Sequence, residues 1–170
     1  MAALPSTPAP APAIAATLTP CFTPGSDCTS VIVQRIDAAK SELLVQAYGF
    51  TSTPIISAIA NAKTRGVDVR VILDKSNETR KYSGATFLVN HGIEPLIDDS
   101  VGIAHNKVLI IDKDTVVTGS FNFTTAAQKR NAENVLIIED DHDLVAAYRD
   151  NWFKRAAVSR PYRPREAAAD

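Results

Sequence analysis

From Ser30 onward the apolar residues of this chain switch repeatedly between helical and strand spacing, and that alternation limits it to an α/β fold. Val31, Ile32, Ile36 and Ala39 share a helical face and lead into the strand-like run Leu43-Leu44-Val45-Gln46-Ala47-Tyr48. Thr53-Pro54 opens a second helix, with Thr53 as N-cap and Pro54 at the first helical position; Ile55, Ile56, Ile59 and Ala62 form its apolar face, and Gly66 stops it. Val67 to Leu73 reads as a short strand, residues 77–91 as a helix ended by Gly92, and Ile93 to Ile97 as another strand. Residues 103–112 and 115–119 are β-rich and joined at Lys113-Asp114, while ENVLIIE at 133–139 reads as a strand buried on both faces. A last helix from about Asp141 carries Leu144, Val145, Tyr148, Trp152 and Phe153 as a core stripe. The pattern predicts a mixed β-sheet flanked by helices on both faces, a sandwich whose strand ends present polar groups along a common edge.

At 170 residues, with 45% apolar and 22% charged residues, the chain has room for one core, expected over residues 21–157. Five prolines among the first 20 residues, and no Lys or Arg before Arg35, predict a disordered Pro/Ala-rich leader over 1–20; residues 158–170 read as a flexible tail. The leader lacks the basic start and unbroken apolar core of a secretory signal, and no run approaches the roughly 18 apolar residues of a membrane helix. A formal charge of -1 supplies no global attraction to a polyanion, so affinity for nucleic acid would have to come from a local patch. The basic residues between Lys63 and Lys81 are one such patch, explained equally well as a solvated surface, and Lys129 and Arg130 are another. Cys21 and Cys28 flank a Thr23-Pro24-Gly25 turn; a disulfide there fits a periplasmic or secreted protein, and two reduced thiols are the alternative.

The chemistry concentrates in residues 105–134. His105 and Lys107 stand two apart on a predicted strand, so both side chains reach one face and one phosphate. Asp112 follows, and Ser120 and Asn122 repeat the two-residue spacing just after Gly119. His105-x-Lys107-x4-Asp112-x6-Gly119-Ser120-x-Asn122 resembles the complete HKD signature of the phospholipase D superfamily, and Asn131-Ala132-Glu133-Asn134 resembles the segment that follows it there. The resemblance extends to Cys21-Phe22-Thr23-Pro24-Gly25, Val45-Gln46-Ala47-Tyr48 and Leu73-Asp74-Lys75-Ser76, as in the small single-domain bacterial nucleases of that superfamily. Neither His91 nor His142 has a lysine two residues on, so this chain carries one motif where larger members carry two. The resemblance therefore implies a homodimer that joins two half-sites, with nucleic acid as substrate and no cofactor or metal.

Residue chemistry agrees with that reading. Metal-free hydrolysis of a phosphodiester needs a nucleophile, an acid for the leaving oxygen, and positive charge or donors on the non-bridging oxygens. One neutral His105 would attack phosphorus while a second, protonated copy serves the leaving group; Lys107, Asn122 and Ser120 would hold the phosphate. Family logic makes Glu133 the carboxylate that orients the His105 ring, and Asp112 a structural support beside the site. A phospholipase or cardiolipin hydrolase is the second reading, expected to show an apolar membrane-facing element, and a silent nucleic-acid binding protein is the third.

Overall fold

The apolar runs pair into a single sheet. In the computed structural model, which describes residues 15–78 and 84–164, the strands are β1 (Thr17–Thr23), β2 (Glu42–Ala47), β3 (Asp68–Asp74), β4 (Leu96–Asp98), β5 (Lys107–Ile111), β6 (Thr115–Gly119), β7 (Glu133–Glu139) and β8 (Arg160–Pro161). They are arranged as β1-β7-β6-β5-β2-β3-β4-β8. β2, β3 and β4 run parallel, each reached through a helical crossover; the remaining pairs are antiparallel. The helices are α1 (Cys28–Ala38), α2 (Thr53–Thr64), α3 (Gly84–Asn90), α4 (Thr125–Lys129) and α5 (His142–Val158).

β2 is buried at every position because both of its faces are covered. Leu43, Val45 and Ala47 enter the larger core with Ile32 and Ile36 of α1, Ile55 and Ile59 of α2, and Leu88 of α3. Leu44 points the other way, into a smaller core with Ile72, Val108, Ile110 and Val116 beneath Val145 and Trp152 of α5. As the only helix on that side among the described residues, α5 is fastened by polar contacts as well. Trp152 Nε1 donates to Val45 O at 3.0 Å, Arg149 forks onto Glu42, and Arg155 forks onto Asp98, which is fully buried. Burial opposes ionisation of Asp98, but the bonds from Arg155 and Ser100 outweigh it and hold the carboxyl below its ordinary range.

Several expectations need correction. The leader expected over residues 1–20 is ordered from Thr17, where β1 pairs with β7 along its whole length; residues 1–14 lie outside the described residues. The tail expected from 158 continues as β8 against β4, with Tyr162 buried and its hydroxyl 2.9 Å from Thr86 Oγ1; residues 165–170 lie outside the described residues. Ser52, not Thr53, is the N-cap of α2, which places Pro54 one position later than read. The helix expected over 77–91 is a 3-10 turn at Lys75–Glu78 and then α3, with 79–83 outside the described residues. β7 is less enclosed than its composition suggests, since α5 does not extend over the β1 edge, where Leu18 and Phe22 are also exposed. Phe153 leaves the predicted core stripe, packing edge-on against Trp152 beneath Arg149 with 36% of its surface exposed.

The β5–β6 turn centres on Asp112 and Lys113, both at positive φ (51° and 68°), one residue earlier than the sequence suggests. The Asp112 carboxylate accepts from the backbone N–H groups of Lys40, Ser41 and Glu42 at 2.7–3.0 Å, tying the hairpin to the start of β2. Burial works against its ionisation, but these backbone bonds prevail and hold its pKa below the ordinary 3.8.

Replacing Asp112 by Ala removes charged hydrogen bonds and should cost about 2–3 kcal/mol in denaturant unfolding. Because the folded-state value is depressed, this contribution is complete above pH 3.8 and is lost as pH falls below it, so wild type and variant should converge in acid. Arg155→Ala strands a buried carboxylate at Asp98 and should cost roughly 3–5 kcal/mol, measured in the same way.

Candidate active site

The polar residues grouped by the sequence converge where β5 begins and β6 ends. Lys107 is the first residue of β5 and is buried at 7% exposure opposite Ala47. His105 is exposed and lies outside the strand expected to carry it, in the irregular segment after β4. The two still meet, because the Lys107 ammonium folds back to lie 3.0 Å from His105 Nδ1 and 2.7 Å from His105 O. The Tyr48 ring packs against the imidazole at 4.6 Å between centroids and lies beneath the Lys107 ammonium at 5.3 Å. A protonated lysine can only donate, so this contact assigns the proton of a neutral His105 ring to Nε2. Burial pushes the Lys107 pKa down, with the charge of Glu133 pulling the other way; an anion arriving at the site would restore the missing counter-charge.

On the neighbouring strands, Ser120 Oγ donates to Glu133 Oε2 at 2.5 Å and accepts from Asn134 N at 3.0 Å. Gly119 permits this approach, since a Cβ there would overlap Asn134 O. Asn131 Nδ2 holds the other carboxylate oxygen of Glu133 at 2.8 Å. Among the described residues no hydrogen bond joins Glu133 to His105, so the ring-orienting role expected of it is not made within one chain. Asn122 accepts from Gly49 N at 3.3 Å through Oδ1, which leaves its amide hydrogens available to a phosphate oxygen. Asp112 is not beside the site at all. It sits at the opposite end of β5, about 17 Å from Lys107 at strand rise.

Cys21 and Cys28 are joined as a disulfide, both buried, closing the loop that begins at Phe22. Within that loop Thr23 Oγ1 donates to Ala127 O at 3.0 Å and accepts from Glu133 N at 3.2 Å, so the bridge braces the Glu133 strand. Lys129 and Arg130 end α4 and are exposed. Lys129 lines a cleft of about 810 Å³ with Ser52, Pro54, Thr125, Gln128 and the disulfide loop. His91 and His142 stay outside the site, the first bonded to Phe87 O just beyond α3 and the second opening α5. Of the basic patch, Arg70 pairs with Asp68, Arg65 lies 3.8 Å from Asp37, and Arg80 and Lys81 are outside the described residues. Sequence reasoning assigned no role to Tyr48, Thr23, Gly49 or Asn131. Thr23, Tyr48 and Asn131 do stand in segments that carry the family resemblance, which is the signal the sequence offered for them.

This architecture has known counterparts. The family model for the cardiolipin synthase PLD-like domain matches residues 32–157. Phospholipase D of Rickettsia prowazekii is 51% identical over 139 residues, 82% of this chain and 67% of that protein. The mitochondrial cardiolipin hydrolase of Mus musculus is 38% identical over 122 residues, and the match spans 55% of its length. The solved structure of Nuc from Salmonella typhimurium, a phospholipase D family member, superposes with a TM-score of 0.82 at 34% identity, covering 88% of this chain and 99% of that one. NucT from Helicobacter pylori shares the fold, with a TM-score of 0.80 at 23% identity over 87% of this chain and 100% of that one. By motif, sheet and likeness, the chain belongs to the phospholipase D superfamily, its single HKD motif seated in a PLD-like domain.

Proposed function

We propose that this superfamily phosphodiesterase cleaves phospholipid head groups, without metal, through a phosphohistidine on His105. The observation that carries the substrate class is the segment leading to His105, where Val101 and Ile103 are 39% and 59% exposed. Apolar side chains held in water beside a reactive imidazole fit a lipid surface better than a polyanion. In this reading these two side chains serve as the apolar membrane-facing element expected of a phospholipase. Similarity to proteins named phospholipase D and cardiolipin hydrolase supports the same reading.

Each chain supplies one histidine of this motif, while the reaction uses two, so the active form in this reading is a homodimer. His105 of one chain forms a P–N bond as the P–O bond to the leaving group breaks, and the imidazolium of the second chain protonates the departing oxygen. That same imidazole then takes a proton from water, whose oxygen attacks phosphorus and releases the histidine. Lys107 and Asn122 donate to the non-bridging oxygens as charge develops on them, and Ser120 joins them when its hydroxyl turns from Glu133 to the phosphate. Attack through Nε2 requires Lys107 to leave Nδ1 for the phosphate, and the proton of the ring to move to Nδ1. The disulfide suits an oxidising compartment, periplasmic or extracellular.

A second reading, nonspecific hydrolysis of DNA or RNA, is favoured by the superposition on Nuc and by the exposed pair Lys129 and Arg130, the first of which lines the cleft.

The deciding experiment offers cardiolipin and phosphatidylcholine vesicles, and plasmid and single-stranded DNA, to wild type and His105→Ala in excess EDTA. Head-group release by wild type, lowered on the order of 10⁴-fold or more in the variant, is expected. Strand cleavage with intact lipid would transfer the assignment to the nuclease reading, and loss of all activity on chelation would overturn the metal-free mechanism. Wild type refolded together with excess His105→Ala should lose activity beyond simple dilution, because hybrids hold a single histidine. Undiminished activity per wild-type chain in that mixture would refute the two-chain site.

A further inference from the structure

His105 stands on a segment with no regular structure between Asp98 and Lys107, yet its reaction demands a fixed ring. Backbone tethers on both sides of it supply that fixity, and they trace back to one buried residue, Asp74, one through its carboxylate and the other through its carbonyl. Asp74 ends β3 at 2% exposure. Its Oδ2 accepts from Ala104 N at 2.8 Å and its Oδ1 from Ser76 N at 2.9 Å. Asn77, also buried, donates through Nδ2 to Asp74 O at 3.0 Å and to Tyr48 O at 2.9 Å. Tyr48 N in turn donates to Asn106 O at 3.0 Å, and the Tyr48 ring rests on the imidazole. The residues immediately before and after His105 are thus gripped by one network, as is the aromatic ring against which it packs.

We propose that Asp74, acting with Asn77 through Ala104 and Tyr48, is a positioning residue that sets the location of the His105 ring. The inference rests on the reading of His105 as the nucleophile. Asp74 touches neither substrate nor imidazole, and its effect is transmitted through the backbone of the loop. Burial opposes its charge, but the bonds from Ser76 and Ala104 prevail, so the carboxyl stays ionised and acceptor-only at neutral pH. Each of its two oxygens holds one N–H group, whereas a carboxamide presents one oxygen and an N–H donor in place of the other. A displacement of about 1 Å at a reacting atom can cost on the order of 10²-fold in rate, so loosening this grip should appear in the chemical step before it appears in binding.

The test measures kcat and KM on bis(p-nitrophenyl) phosphate for wild type, His105→Ala, Asp74→Ala, Asp74→Asn and Asn77→Ala, each checked for folding by its thermal transition. Asp74→Ala is expected to lower kcat by roughly 10- to 100-fold with KM within about 3-fold. Asp74→Asn, which keeps one acceptor oxygen, should recover a large part of that loss, and Asn77→Ala should lower kcat by a smaller factor in the same direction. Wild-type kcat in Asp74→Ala beside an inactive His105→Ala would overturn the positioning role, as would equal losses in the Ala and Asn variants of Asp74. If Asp74→Ala does not fold, unchanged kcat in both Asp74→Asn and Asn77→Ala overturns it instead. Full activity in His105→Ala would sink the reading of the site itself, an outcome distinct from all of these.

Discussion

The length of β5 fixes the rest of the structure. Lys107 begins the strand at the reactive edge and Asp112 follows it at the other edge, so the five residues Lys107–Ile111 set how far the site lies from its anchor. Asp112 accepts from the backbone at the start of β2, and that attachment holds β5 to β2 with Ala47 opposite Lys107 and Leu43 opposite Ile111. A slip of one residue would flip every side chain of β5 and turn Lys107 from the larger core side to the smaller one, burying an ammonium against Leu44, Ile72 and Val116 of the other strands. The aspartate of the motif thus serves the site by fixing a register, without approaching the reacting atoms.

Around that strand the site is assembled from segments distant in sequence. β6 supplies Ser120 through a turn that only a glycine at 119 allows, β7 supplies Glu133, and the loop after β2 supplies Tyr48 and Gly49. The Lys107 ammonium is held among them partly desolvated, which costs free energy in the empty site and favours an anion there. Charge of opposite sign on a phosphodiester relieves that cost, so binding and electrostatic preorganisation share one origin.

Much of this was legible in the sequence because the motif residues cluster at the ends of strand-like runs, although His105, Ser120 and Asn122 themselves lie just outside β5 and β6. The two-residue spacings of His105 with Lys107 and of Ser120 with Asn122 predict convergence without a structure, and alternating apolar runs predict the sheet with helices on both faces. What could not be read has a common physical cause in long-range backbone pairing. β1 carries Pro20 at its centre and is followed by Pro24, a leader-like composition, and it pairs only because β7 offers an edge; β8 is two residues long and is held by Tyr162 and Arg160. Asp74 and Asn77 bond to segments some 30 residues away, and although Asp74 stands in a segment of the family resemblance, nothing in the local pattern gives either a role. The Glu133 carboxylate is likewise held by Ser120 and Asn131 within a single chain, a pairing that local sequence does not announce.

The placement of the two terminal strands has a consequence for joining copies of this fold. β1 and β8 are opposite edges of the sheet, seven strand spacings apart. At about 4.8 Å per spacing that is roughly 34 Å, the reach of about ten extended residues. A tandem gene fusion that places two motifs in one polypeptide joins β8 of one copy to β1 of the next. The connector can be short where the copies bring those edges together and must span on the order of a sheet's width where they do not, so its minimum length becomes a ruler for how two copies are arranged.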